Sequence, residues 1–119
     1  SVTWSPVRDR LLSCSYDGSI RVWEEDLDVE DFSCIGLISG IHSTVWSCSF
    51  SKSGDYLASV GEEGTLVIWQ CIEPAAGSIG KDPIWKSIKI IPQAHLRPIY
   101  GVAWSTVESE RDSGWIASC

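Results

Sequence analysis

Serine and acidic side chains of the types found in a nucleophilic site occur twice in this chain, at the same spacing. His42, Ser59 and Glu63 lie in its middle, and Ser13 and Asp17 repeat the serine and the acid 46 residues earlier. A serine activated by a histidine that an acid orients is the machinery of acyl-transfer hydrolases. An active site has no reason to recur at a fixed interval, whereas a structural hydrogen bond must recur in every repeated unit. We therefore assign no catalytic residue and expect no enzyme. A hydrolase would need His42 and Ser59 to be accessible to solvent.

The cysteines and histidines do not show metal-ligand spacing. The five cysteines are odd in number and never form Cys-x-x-Cys; they are Cys14, Cys34, Cys48, Cys71 and Cys119. This spacing argues against a disulfide framework or a zinc site and favours reduced thiols in the cytosol or nucleus. The first three occupy strand positions where a small apolar side chain would pack, so we expect them in the core. We predict no metal and no cofactor.

Internal repetition is the strongest pattern in the sequence, and it defines the elements that carry these side chains. Residues 4–23 align without a gap on 50–69 at a constant offset of 46, and a third copy begins at 93–105 and resumes at 115–119. Each unit contains four short strands separated by turns. In the central copy we predict strands near 45–51, 56–61, 65–70 and 85–90, with a Gly/Pro-rich loop at 71–83.

Composition supports a small all-β domain. The chain has 119 residues, 44% of them apolar, with seven Trp and ten Gly, and it shows no sustained helical periodicity. No apolar run approaches the roughly 20 residues of a membrane span. Six of the sixteen acids lie in 24–31, so the net charge of −7 is a local patch, which we interpret as a solvated loop. Without a basic stripe elsewhere, neither nucleic acid nor membrane is an expected partner.

The four-stranded units that repeat at an offset of 46 residues have a His near the start and a Trp near the end. In these features they resemble the WD-repeat family of β-propellers. The resemblance implies an all-β WD-repeat β-propeller, of which this chain is a fragment with about two and a half four-stranded blades of a seven-bladed ring. The predicted blades are 1–39, incomplete at its start, 40–92, and 93–119, incomplete at its end. Because so few blades cannot close a ring, we expect the chain to be a segment of a longer protein.

In that family, a buried hydrogen-bonded tetrad of His, Ser or Thr, Asp and Trp recurs in each blade. The residues carried over from the family pattern are His42, Ser59, Glu63 and Trp69; Ser13, Asp17 and Trp23; and His95 and Ser118. Glu63 departs from the usual Asp, and its longer side chain predicts a looser or a water-bridged network in the central blade.

Four further phrases occur in order: "SYDGSIRVWEEDLDVEDFSC", "HSTVWS", "DPIWKSI" and "RPIYGVAWS". Together they resemble the WD-repeat subunits of the cytosolic iron-sulfur protein assembly machinery. The resemblance implies a non-enzymatic scaffold that joins adaptor subunits of a targeting complex and helps transfer iron-sulfur clusters to client apo-proteins, in the cytosol and also the nucleus. The alternative is a WD-repeat scaffold of another pathway, such as a ubiquitin-ligase substrate receptor or a chromatin adaptor. Asp17-Gly18 and the long segment 107–115 depart from the relatives' pattern.

A break in strand alternation indicates a binding surface. Val45 and Cys48 are both expected to face inward although they are three residues apart, so we predict a β-bulge near Trp46 and Ser47. The same break recurs around Tyr100. The side chains then left at the rim, and predicted to bind partners, are Trp46, Tyr100, Tyr16, Glu62 and Thr44. The alternative is that Trp46 only covers the top of the core.

Overall fold

The computed structural model describes residues 1–28, 30–41, 43–77, 82–105 and 114–119. Within these residues, ten strands form three antiparallel sheets in chain order, and there is no helix, which confirms the all-β prediction. A membrane-spanning helix is accordingly not found in this part of the chain.

The first two sheets are four-stranded meanders with the same layout. The first contains β1 (Val2–Trp4), β2 (Arg10–Cys14), β3 (Ile20–Asp26) and β4 (Asp31–Ile38). The second contains β5 (Val45–Phe50), β6 (Tyr56–Gly61), β7 (Leu66–Ile72) and β8 (Ile84–Ile91), and the third pairs β9 (Val102–Trp104) with β10 (Ile116–Ser118). The four strands predicted for the central copy are confirmed. The predicted blade boundaries after residues 39 and 92 stay a prediction.

The two aligned copies adopt the same local shape. Leu11 pairs with Trp23 in the first sheet, and Leu57 pairs with Trp69 in the second. The pairing register shifts directly before each tryptophan, where β3 meets β4 and where β7 meets β8. The 46-residue offset therefore repeats an irregularity of the backbone as well as a pattern of residue types.

Side-chain alternation divides the second sheet between two cores. On β6 and β7, Leu57, Val67 and Trp69 face the first sheet and pack against its Leu12 and Val22. The opposite face carries a second core, formed by Val60 and Leu66 with Ile99 and partly buried Val102. Full burial of an aliphatic side chain of this size contributes roughly 1.5–3 kcal/mol. Successive sheets are therefore held face to face, and their turns meet at a common end.

Candidate functional site

Two equivalent backbone hydrogen bonds join the sheets at the end where these turns lie. The Val45 N–H donates to the Ser15 carbonyl at 3.1 Å, and the Ile99 N–H donates to the Gly61 carbonyl at 3.1 Å. Ser15 directly follows β2 and Gly61 is the last residue of β6, at positions 46 residues apart. Each bond fixes a buried residue, Val45 or Ile99. The next residue in the sequence, Trp46 or Tyr100, then points to the rim.

The bulge predicted in β5 is confirmed. Val45 pairs with Gly61 and Ser47 pairs with Val60, so Trp46 is the extra residue that has no partner opposite it. Val45 and Cys48 are both buried although they are three residues apart. The bulge allows this because it re-aims the side chain between them.

Trp46 and Tyr100 are in contact. Their ring centroids are 5.4 Å apart with an interplanar angle of 60°, within the range of favourable aromatic pairs. Tyr100 is 62% exposed, whereas Trp46 is half-buried. The backbone N–H of Tyr100 donates to the Cys119 carbonyl at 2.8 Å, which holds the tyrosine on the third sheet. The aromatic pair thus bridges the second and third sheets.

Glu62 completes the surface around Trp46. The indole Nε1 of Trp46 donates to Glu62 Oε2 at 2.9 Å. Glu62 is exposed, and its own N–H donates to the Thr44 carbonyl at 3.2 Å. Tyr16, the equivalent residue in the first sheet, is 80% exposed. We call Tyr16, Trp46, Glu62 and Tyr100 the rim cluster.

The prediction is wrong for Thr44, which is buried and cannot offer a side chain to a partner at the rim. Its hydroxyl donates to the Tyr16 carbonyl at 3.3 Å, beneath the turn of the first sheet. In the sequence, Thr44 looked like a rim residue because it is polar and lies among other polar residues near the turn. Its contact with a neighbouring sheet gives it a structural role.

Two Ser–Trp pairs occupy the expected tetrad positions. The Trp69 indole donates to Ser59 Oγ at 2.8 Å, and both residues are buried. The Trp23 indole donates to Ser13 Oγ at 3.0 Å on a half-buried face of the first sheet. His42 lies outside the described residues.

The other expected members among the described residues lie at or near the surface, and the buried network as a whole stays a prediction. Asp17 and Glu63 are exposed turn residues, and the His95 ring nitrogen Nε2 lies 2.9 Å from Ser118 Oγ in an exposed pair. The Ser19 hydroxyl and N–H donate to Asp17 Oδ1 at 2.5 and 2.9 Å, and these bonds lower the pKa of Asp17. Glu63 accepts a hydrogen bond from the Ser43 N–H. Both acids therefore have bonding partners within the rim turns.

The cysteine prediction holds for two of three residues. Cys48 is buried and Cys14 packs against the same core. Cys34 is exposed, because it lies opposite Trp23 on the face of β4 that points away from the second sheet. Among the residues that the structure describes, no group of three or more potential ligands is placed to hold a metal ion.

An ion-pair network that the sequence did not indicate joins the first two sheets at the end opposite the rim cluster. Arg10 donates to Glu24 at 2.9 Å and to Glu73 at 2.5 Å, and Arg8 contacts Glu73 at 2.8 Å and Asp55 at 3.6 Å. Burial alone would lower the pKa of Arg10, but the hydrogen bonds to the two glutamates outweigh it and the pKa is raised. The bond from Arg10 lowers the pKa of Glu73. This network positions the sheets relative to each other.

Repeated four-stranded sheets with the Ser–Trp bonds define a class of repeat protein. The chain matches the family described as "WD domain, G-beta repeat" over residues 1–24 and 32–70, and it belongs to that family.

Within the family, the chain is similar to curated proteins of iron-sulfur assembly. It is 38% identical over 90 residues to the "Probable cytosolic iron-sulfur protein assembly protein Ciao1" of Culex quinquefasciatus, covering 71% of this chain and 27% of that protein. It is 35% identical over 96 residues to the "Probable cytosolic iron-sulfur protein assembly protein 1" of Scheffersomyces stipitis, covering 70% and 27%. The "CIAO1 homolog" of Ixodes scapularis is 35% identical over 104 residues, covering 87% and 30%. The chain thus spans somewhat over a quarter of the length of these relatives.

Proposed function

We propose that this chain is part of a non-enzymatic scaffold subunit of the cytosolic iron-sulfur protein assembly machinery. It binds protein partners through the rim cluster and helps transfer iron-sulfur clusters to apo-proteins. The partners are adaptor subunits of a targeting complex and client apo-proteins. The relatives' names support the pathway and a cytosolic location. We further propose that some of the protein is nuclear.

The observation that carries the binding role is the aromatic pair of exposed Tyr100 and half-buried Trp46 beside Glu62. Tyrosine and tryptophan are enriched among residues that dominate binding energy at protein interfaces. The pair joins two sheets, so a partner docked on it would contact consecutive blades at once. The carboxylate of Glu62 and the phenol of Tyr100 supply polar contacts at the edge of the aromatic surface.

The burial of Ser59 supports a non-enzymatic role. A nucleophile must be reachable by substrate, whereas Ser59 has no solvent exposure and its Oγ accepts the Trp69 indole N–H. The equivalent Ser13 makes the same bond in the first sheet. Residue types that resemble a hydrolase site therefore act here as a repeated structural bond.

Affinity purification of the full-length protein from its own cells tests the proposal. We expect adaptor subunits of iron-sulfur assembly to co-purify, as identified by mass spectrometry. Tyr100→Ala should weaken adaptor binding about 30-fold, the equivalent of about 2 kcal/mol for an interface hot spot. Thermal unfolding of the variant should match that of the wild type, because most of the Tyr100 side chain is exposed.

Leu27→Ala is the matched control. Leu27 is 81% exposed and lies between β3 and β4, at the end of the first sheet opposite the rim cluster. It should leave adaptor binding unchanged. Absence of the adaptors from the purified material would contradict the proposed pathway. If Leu27→Ala weakens adaptor binding and Tyr100→Ala does not, the proposed surface is wrong.

A further inference from the structure

Two cysteine thiols from neighbouring sheets are in direct contact. Cys14 ends β2, Cys48 lies in β5, and their Sγ atoms are 2.7 Å apart. This separation is well below the roughly 3.5–4.0 Å at which even the smaller carbon atoms make a non-bonded contact, and it approaches the roughly 2.05 Å of a disulfide. The two residues are 34 positions apart in the sequence, so the contact exists only because the first sheet packs on the second.

The other three cysteines are placed differently. Cys34 is exposed and its thiol lies 3.5 Å from the Gly36 carbonyl, while the Cys71 thiol donates to Glu73 at 3.2 Å. Cys119 is exposed and directly follows β10. The structure describes all five cysteines. Among these five residues, the Cys14–Cys48 contact is the one hydrogen bond that joins two thiols.

We propose that Cys14 and Cys48 form a modification site, in which an oxidant of the peroxide class converts the thiol pair into a disulfide that joins the first and second sheets. This function is separate from the partner binding proposed above.

The geometry assigns different roles to the two sulfurs. Cys14 is half-buried and keeps part of its surface exposed to solvent, whereas Cys48 is 5% exposed, so a small oxidant such as hydrogen peroxide would meet Cys14 first. The hydrogen bond between the two thiols lowers the pKa of Cys14, and the same bond together with burial raises the pKa of Cys48. Since the thiolate is the nucleophile, Cys14 reacts first and Cys48 resolves the product.

The two steps balance as follows. The Cys14 thiolate attacks one peroxide oxygen, the O–O bond breaks, and a sulfenic acid forms while the other oxygen leaves as water after taking up a proton. The Cys48 sulfur then attacks the Cys14 sulfur, the S–O bond breaks, and a second water leaves with the thiol proton. Two thiols have lost two electrons and two protons, and one peroxide has become two waters.

The disulfide would lie close to two residues of the rim cluster. Cys48 is two residues from Trp46 on the bulged strand β5, and Cys14 is two residues from Tyr16. Closing the covalent loop between positions 14 and 48 restricts the unfolded chain and should raise the thermal midpoint by several degrees.

Peptide mapping of the full-length protein tests the proposal. The protein is treated with hydrogen peroxide, alkylated with iodoacetamide and digested without reductant. Trypsin releases Cys14 in 11–21 but leaves Cys34 and Cys48 together in 22–52, so chymotrypsin is added to cut after Trp46. We expect a peptide pair linked through Cys14 and Cys48, at least tenfold more abundant than in untreated protein and absent after reduction.

Cys34→Ser is the matched control and should retain the linked pair, whereas Cys48→Ser should abolish it together with the reductant-sensitive rise in thermal midpoint. If Cys48→Ser does not fold, the peptide assignment in Cys34→Ser protein still decides the question. Three outcomes would overturn the proposal: Cys14 stays fully alkylated by iodoacetamide after peroxide, Cys14 becomes a sulfinic acid without a link, or Cys14 links to a different cysteine.

Discussion

The buried bond between Ser59 and Trp69 gives the sharpest test of the repeated polar positions. Ser59→Ala removes the acceptor that lies 2.8 Å from the indole Nε1 of Trp69. Ser59 has no solvent exposure and Trp69 has 5%, so water cannot take the place of the lost hydroxyl without rearrangement. A buried donor left unpaired costs about 1–3 kcal/mol. We therefore expect Ser59→Ala to lower the free energy of unfolding by about 2 kcal/mol.

Urea unfolding of the full-length protein measures this loss through a lower transition midpoint at unchanged slope. Ser53→Ala is the matched control, since it removes the same atom from an exposed serine in the turn before β6. It should change the unfolding free energy by less than about 0.5 kcal/mol. Equal transition midpoints for Ser59→Ala and Ser53→Ala would refute the structural role of the bond.

Two further predictions concern contacts between the sheets. Glu73→Gln should destabilise the protein by about 0.5–1 kcal/mol at pH 7, because the ion pair with Arg10 is partly screened. Since the folded-state pKa of Glu73 is lowered, this stabilisation is present above its ordinary value of 4.5 and lost as pH falls below it, so wild type and variant should converge in acid unfolding titrations. If the unfolding free energies of wild type and variant kept a constant difference down to pH 3, the predicted convergence would be wrong. Gly64→Ala places a Cβ 2.3 Å from the His95 carbonyl oxygen at a φ of +68°, and should cost about 2–4 kcal/mol in thermal unfolding. Gly40→Ala, at φ +94° with no atom within 4 Å, should cost only the backbone part, and equal losses would argue against the contact between the sheets.

The sequence predicted the features that repeat within a sheet. The 46-residue offset was enough to predict the strands, and the broken alternation before Cys48 was enough to predict the bulge at Trp46. Both depend on the chain's own period, because inward and outward positions alternate along a strand whatever lies beside it.

Contacts between different sheets could not be predicted in the same way. The pairing of Cys14 with Cys48 depends on how one sheet is rotated against the next, which no spacing along the chain encodes. The ion pair of Arg10 with Glu73 was missed for the same reason. The buried position of Thr44 follows from a bond to the preceding sheet, so a turn residue that looked available was not.

The matched bonds from Val45 to Ser15 and from Ile99 to Gly61 use main-chain atoms alone. This part of the contact between neighbouring sheets therefore does not depend on which side chains stand at the rim. Exchange of Trp46 or Tyr100 for other residues would change the binding surface and leave the main-chain atoms of these two bonds in place. A scaffold built in this manner can acquire new ligands one position at a time.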